Sequence, residues 1–285
     1  MRLPLAILKR IGRTILLLTL VALGTMVLMR FAPGYFSDAR EMDAKYGSGV
    51  RSELRAEQAE RGSLGTIASS TVTGWLHGDL GQSRQFEIPV SELLGPRLRV
   101  SASLLMQGIG FGWIVAFCCA LPLSAARGGA TWLGAPFTVL LAIPTAAMAT
   151  LCLLSSTGGP VLILTLLLGA RDFKFLHGVL RVAWRSPHLL QARAQGLRVD
   201  QLVRGHLLPE VMPQMLALAS LSLITALSAI VPVEVIFNVP GVGQLAWTAA
   251  MNRDLPVLLT VTLLMAIAVV CAGMFSAPIR SVETA

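Results

Sequence analysis

The chain alternates long apolar runs with shorter polar connections. A helix needs about 20 mainly apolar residues to cross the hydrocarbon core of a bilayer. Six stretches meet or approach that length: residues 11–32, 100–125, 131–154, 160–184, 213–233 and 256–277. The fourth is the weakest. Its opening, "GPVLILTLLLGA", is short, and Arg171, Asp172 and Lys174 follow it. It reads as a helix that begins in lipid and continues, amphipathic, to about residue 184. The first run follows Arg2, Lys9, Arg10 and Arg13, as a signal peptide would, but it is long and no small-x-small cleavage site follows. A retained span is expected. The predicted fold class is an all-α integral membrane protein with about six transmembrane helices.

The connections set the orientation. Cytoplasmic loops carry an excess of Lys and Arg, and the N-terminus holds four basic residues and no acid. Alternating through six spans makes the cytoplasmic pieces the N-terminus, the turn at 126–130 with Arg127, the loop at 181–212 and the tail with Arg280. In 181–212, Arg181, Arg185, Arg193, Arg198 and Arg204 face Asp200 and Glu210, a net of +3. The long 33–99 segment has eight basic and nine acidic residues and is nearly neutral, as an external loop would be. Both termini are expected in the cytoplasm. Within the outer loop, "EMDAKYGSGVRSELRAEQAERGSLG" suits a short charged helix or a solvated connector equally.

Composition agrees with a lipid solvent. Of 285 residues, 54% are hydrophobic and 13% charged, against about a quarter charged in ordinary soluble domains. The net charge of +8 sits beside apolar runs, and aromatics are only 6%. A nucleic-acid surface would need a basic face with stacking aromatics, so nucleic acid is not expected as a partner. Cys118, Cys119, Cys152 and Cys271 lie in apolar segments, where cysteine behaves as a small hydrophobe. His77, His177, His188 and His206 are scattered without ligand spacing. There is no "GxxxxGK[ST]" with which to bind ATP, and no nucleophile, zinc or paired-carboxylate arrangement. No catalytic residue, metal or cofactor is expected.

Ionisable groups inside a span would suggest an ion pathway. Arg30 and Glu234 fall at span ends, while Arg171, Asp172 and Lys174 fall where the fourth helix leaves apolar surroundings. No charged group at mid-membrane is identified, so energy for transport would come from a partner.

The segment "LLQARAQGLRVDQLVRGHLLPEVMP", residues 189–213, interrupts this pattern with a compact basic module. Leu189, Leu190, Ala192, Leu197, Val199, Leu202 and Val203 can form an apolar face on short helices, and Gly196 permits a sharp turn between them. Pro209 and Pro213 suit the start of the next span. By residue type, two readings stand: a helix that inserts into a groove on a partner, or a basic loop lying against anionic lipid.

The same segment resembles the EAA loop of ABC-transporter permeases of the dipeptide/oligopeptide/nickel family, whose pattern runs close to "ARAKGL…H.LP". The matching positions are Ala192, Arg193, Ala194, Gly196, Leu197, His206 and Pro209, with Gln191 a mild departure. Three further stretches are similar to that family in the correct order: "RFAPG" at 30–34, "GDLGQSRQFEIPVSELLGPRL" at 78–98 and "VPVEVIFNVPGVGQLAWTAAMNRDLPVL" at 231–258. The resemblance covers nearly the whole chain. One departure is "LLSSTGGP", which joins the third and fourth spans almost directly where relatives carry a longer outer segment.

The resemblance implies a type I importer permease: residues 1–32 as N-terminal end and first helix, 33–99 as extracytoplasmic loop, and 100–285 as a five-helix core with a cytoplasmic coupling loop at 185–212. It implies a multi-pass protein of the cell inner membrane, working with a second permease subunit, cytoplasmic ABC ATPases and an extracytoplasmic solute-binding protein. Ala192, Arg193, Ala194, Gly196, Leu197, Arg198, His206 and Pro209 would form the ATPase-coupling loop. Pro240, Gly241 and Gly243 suit a tight turn, and with Glu234 they are expected as a pore cap or gate; a solvated turn and a surface or helix-end role for Glu234 stay open. Gly108 and Gly112 form a GxxxG pattern for close helix packing, within the subunit or across a permease dimer. A self-contained carrier and a non-transporting scaffold are the competing classes.

Overall fold

The structure, a computed structural model, describes residues 2–31, 73–75, 77–125 and 134–275, with side chains at 12–28, 73–75, 77–125 and 134–273. The charged stretch of the outer loop, residues 32–34, the turn with Arg127 and the tail with Arg280 lie outside the described residues. In chain order the helices are α1 (Arg2–Phe31), α2 (Val90–Ala125), α3 (Ala135–Ala142), α4 (Thr145–Leu154), α5 (Pro160–Ala183), α6 (Pro187–Ala194), α7 (Val199–Leu202), a π-helical turn (Val203–Leu207), α8 (Leu208–Ile236), α9 (Val242–Met251) and α10 (Leu255–Phe275). Among the described residues the only pairing outside helices is an isolated antiparallel bridge, Gln82 to Pro89.

The described residues of all six expected segments fall mainly on helix. Val90–Ala125, Val199–Ile236 and Leu255–Gly273 are each long and apolar enough to cross a membrane, and α1 carries a shorter apolar stretch, Gly12–Leu28. The third segment departs from the straight span expected of it. It is two helices, α3 and α4, bent by 96°. Pro144 is the cause: its ring drives Ile143 out of helical geometry, to φ −84 and ψ 126, and it has no N–H with which to continue the ladder. α2 begins ten residues before its apolar core and, at 36 residues, is about 54 Å long, well over the hydrocarbon thickness.

The fifth span also starts earlier than hydropathy suggests. α7, the π turn and α8 form one continuous rod, Val199–Ile236. Leu208 N–H reaches back to Val203 O, one residue further than an α-helix allows. Pro209, two positions into α8, cannot donate to the carbonyl four residues before it, and a widened turn relieves the clash. Pro213, expected at the span's entrance, lies inside α8 together with Pro232.

The chain divides into two compact units, Met1–Arg99 with Pro240–Ala268, and Val100–Val239 with Val269–Ala285. In the first, Val90 and Leu94 of α2 pack with Val242, Leu245 and Ala249 of α9 and Val257 and Val261 of α10. Met26 of α1 joins Leu255, Leu259 and Trp75 in a neighbouring cluster. In the second, Ala116 and Ala120 of α2 meet Phe173, Leu176 and Leu180 of α5 and Val211 and Leu218 of α8. Phe137 of α3 stacks on Phe173 at 4.0 Å.

Lipid tails are as apolar as leucine, so helices in a bilayer associate through close packing rather than water exclusion. The α2–α5 seam is built that way. A Cβ added at Gly108 would stand 2.6 Å from Leu164 Cβ, and one at Gly112 would stand 3.0 Å from Leu168 Cβ and 3.2 Å from Gly169 N. The GxxxG pair therefore packs within the subunit, a choice the sequence left open. Gly110 faces open space.

Candidate functional site

The basic module is two short helices joined by a tight corner. Pro187 opens α6, which ends in a Schellman arrangement: Leu197 N–H donates to Ala192 O (3.5 Å) and Gly196 N–H to Arg193 O (3.1 Å). Gly196 has φ +81 with no atom within 4 Å of a would-be Cβ. Glycine is required there by backbone conformation rather than by space. Arg198 caps α7, its N–H donating to Gln201 Oε1 at 3.1 Å, and its guanidinium lies 3.6 Å from Asp200 in a well-exposed pair.

The apolar face expected of this module divides in two. Leu189, Ala192 and Leu202 are buried, and Leu189 belongs to the core of its own unit. Leu190 and Val199 are 53% and 60% exposed, in company with exposed Arg193, Ala194 and Arg198. Helical spacing explains the split, because positions 189 and 192 share a side of α6 that 190 and 193 do not. The outer surface is therefore smaller and more basic than seven apolar residues would have made it. Leu197 is half-buried and Pro209 exposed. His206 lies in the π turn, and its Nδ1 is enclosed without a hydrogen-bond partner.

Hydropathy gives no hint of the tie between this module and the following span. His188 Nε2 lies 3.0 Å from Glu210 Oε2, and Ser186 Oγ donates to the same oxygen at 3.5 Å. The contact joins the first turns of α6 and α8 across 22 residues of chain.

Glu234 is neither at a surface nor in a solvated helix end. It is fully buried, and Ser101 Oγ of α2 donates to its carboxylate at 2.6 Å. Beyond it the chain turns at Asn238, φ 51, a residue type that tolerates the left-handed region. Pro240 is exposed, Gly241 precedes α9 in an extended conformation, and Gly243 is buried inside that helix. The expected turn thus belongs to Asn238, and "GVGQL" begins a helix.

The structure joins two of the motif stretches. Asp254, between α9 and α10, is 1% exposed; its Oδ2 accepts the Ser83 hydroxyl and the Gln85 N–H at 3.2 Å. Gly81 packs toward Pro256, whose Cβ would stand 3.5 Å from a Cβ at that position. "GDLGQS" and "RDLPV" are thereby one local structure.

A third polar cluster surrounds residues 171–174. The 24-residue α5 runs to Ala183, much as expected of it, but at its middle, where these residues lie, it has not left apolar surroundings. Asp172 is fully buried. Ser222 Oγ of α8 lies 2.9 and 2.8 Å from its two oxygens, and Trp113 Nε1 of α2 donates to Ser222 Oγ at 3.3 Å. Three helices meet on one hydroxyl. Arg171 points to another side, its Nη1 donating to Leu221 O of α8 at 3.1 Å. A single acid in a run of charges looks like a helix leaving the membrane; only its place relative to Leu168 and Leu176, four residues to either side and buried, could have marked it as inward.

Among the described residues no group of three His, Cys, Asp or Glu could hold a metal ion. Long apolar helices, a broken span and a basic connecting module define a multi-pass helical membrane protein. The chain belongs to the family described as binding-protein-dependent transport system inner membrane component, whose model matches residues 108–279, more than half of the chain. It is similar to the oligopeptide transport system permease protein OppB of Escherichia coli K12, at 22% identity over 90% of each chain, and to the OppB of Salmonella typhimurium, also at 22% over 90% of each. A protein of Sinorhizobium fredii named "Probable peptide ABC transporter permease protein y4tP" is 25% identical over 90% of this chain and 91% of its own. The chain is a permease of the ABC import class and a multi-pass inner-membrane protein.

Proposed function

We propose that this chain is the pathway-forming subunit of an ATP-driven importer of peptides or similar small solutes, and that α6 and α7 are the element on which a cytoplasmic ATPase pushes. A second permease subunit would complete the pathway and an external solute-binding protein would deliver the cargo. Both termini and the 185–212 loop would then be cytoplasmic, and the 33–99 loop external. Glu234 with the stretch from Pro240 to Gly243 would gate the outer end.

One observation carries the coupling role: the basic module is held from behind and open in front. Leu189, Ala192 and Leu202 anchor it, and Leu190, Arg193, Arg198 and Val199 are presented outward. A part that is rigid against its own unit can pass a displacement on instead of absorbing it. The His188–Glu210 contact connects such a displacement directly to the base of α8. ATP-driven closure of the partner would shift the pathway between two facing states through this part.

The test is ATP hydrolysis and uptake measured together on the reconstituted complex. Gly196→Pro, or Arg193→Glu with Arg198→Glu, is expected to lower uptake at least tenfold relative to ATP hydrolysis or to release the ATPase on purification, because Pro cannot adopt φ +81. Full transport by both variants would refute the coupling role. Buried Asp172 favours one competing reading, a carrier driven by an ion gradient. Uptake that persists without ATP and collapses with the proton gradient would select it.

A further inference from the structure

The second half of α5 has two faces of opposite character. One buries Asp172, Phe173, Leu176, Leu180 and Ala183. The other leaves Lys174 and Gly178 exposed and Arg171 and Arg181 half-buried, with Phe175 and Val182 exposed beside them, and exposed Arg185 follows two residues past the end of the helix. At about 100° per residue, Arg171, Lys174 and Arg181 fall within one narrow arc, with Gly178 among them and no side chain to separate them. The arc holds no acid. The ion pairs His188–Glu210 and Arg198–Asp200 involve none of these cations.

Such a face is incompatible with lipid at this height. Lys174 lies nine residues, about 13 Å, before the end of α5, and Arg171 about 18 Å. A Lys or Arg at mid-span costs about 3 kcal/mol each against hydrocarbon. Snorkelling toward the coupling-loop end is opposed by geometry, because the Cα–Cβ bonds of a helix lean toward its N-terminus, here toward mid-span. A second copy of this chain is opposed by charge, since like faces repel. Water and anions remain.

We propose that this cationic face lines the half of the translocation pathway nearer the coupling loop, and that it favours solutes bearing carboxylates or other anionic groups. The proposal rests on the permease reading and adds a solute class to it. Gly178 leaves a shallow bay, with nothing within 4 Å of its would-be Cβ, where a carboxylate can approach Lys174 and Arg181 together. The Arg171 guanidinium is steadied by the Leu221 carbonyl and forms the upper limit of the bay.

The test uses the full complex in vesicles, with the coupling-loop side outward, and a cysteine at the bay, Gly178→Cys. The unsubstituted chain serves as the blank for its four native cysteines. Labelling by an anionic sulfonatoethyl methanethiosulfonate is expected to exceed that by its trimethylammonium analogue at least about tenfold after correction for free-thiol reactivity, since a cleft of one sign concentrates counter-ions to that degree. Adding Lys174→Glu and Arg181→Glu should abolish or invert the preference. Labelling by neither reagent would mean a face covered by lipid or a partner subunit, and equal labelling, or a preference surviving charge reversal, would mean no cationic bay; each overturns the proposal. Vesicles of phosphatidylcholine, with and without phosphatidylglycerol, separate the sources of the anion: a bay filled by anionic lipid labels only in the vesicles lacking phosphatidylglycerol, which also overturns it. Uptake of tri-aspartate, tri-alanine and tri-lysine is followed in parallel. Selective loss of tri-aspartate uptake in the charge-reversed chain supports the proposal. Absence of ATP-dependent uptake of all three in the unsubstituted complex counts against peptide import, while the labelling ratio still decides the bay.

Discussion

Replacing Gly108 by alanine adds one methyl group to a seam with no room for it. The new carbon would lie 2.6 Å from Leu164 Cβ, roughly 1 Å inside ordinary carbon–carbon contact. Leu164 Cβ is fixed to its backbone and cannot rotate aside, so α2 and α5 must separate by about that distance. A gap of 0.5–1 Å forfeits roughly a quarter to a half of the contact attraction along the seam, and overpacking of this kind costs about 1–3 kcal/mol. Gly112→Ala meets Leu168 Cβ at 3.0 Å and Gly169 N at 3.2 Å and should cost a similar amount. The double variant should cost less than the sum, because one separation serves both methyl groups. Gly110→Ala, on the same helix with nothing within 4 Å, should be neutral or slightly stabilising, since alanine is the better helix former by up to about 1 kcal/mol. The assay is thermal unfolding of the purified chain in mild detergent, followed by tryptophan fluorescence, with Trp113 reporting beside the seam. A decrease of several degrees is expected for Gly108→Ala and none for Gly110→Ala. Equal stability of the two variants, or the reverse order, would refute the packing argument.

Two other perturbations address the polar clusters. Ser222→Ala removes the hydroxyl donor to Asp172 and the acceptor for Trp113 Nε1; it should destabilise by about 1–3 kcal/mol, and Asp172→Leu added to it should restore part of the loss in the same unfolding assay. Asp254→Ala releases Ser83 and Gln85, so limited proteolysis should cut the 82–88 loop several times faster than in the unsubstituted chain, whereas Asp254→Asn should lie between.

Much of the site was legible in residue order because its causes are local. Gly196 as a left-handed corner follows from the only residue type that adopts φ +81 without strain, and the short helices on either side follow from Pro187 and the periodic leucines. The division of the apolar face was not legible. Which of Leu189 and Leu190 is covered depends on where the neighbouring core lies, and that core is assembled from Phe173, Leu207 and Val211, far apart along the chain. Glu234 lies near a helix end, as expected, but its burial was not legible for a related reason. A carboxylate two residues from the end of a helix suggests solvent, and Ser101, which donates to it, is 133 residues away. The 96° bend could have been anticipated from Pro144 alone, but its persistence inside an apolar span is a matter of packing.

The sequence by itself determined the solvent of this protein, the helical character of its apolar segments, its family and the corner at Gly196. Each depends on hydropathy, charge or backbone conformation, which neighbouring residues decide among themselves. Tertiary structure alone decided that Gly108 and Gly112 face α5, that Asp254 closes on Ser83, and that Asp172 turns inward while Lys174 and Arg181 turn outward. A helix presents every side to something, and only the arrangement of the other helices says which side meets protein, lipid or water.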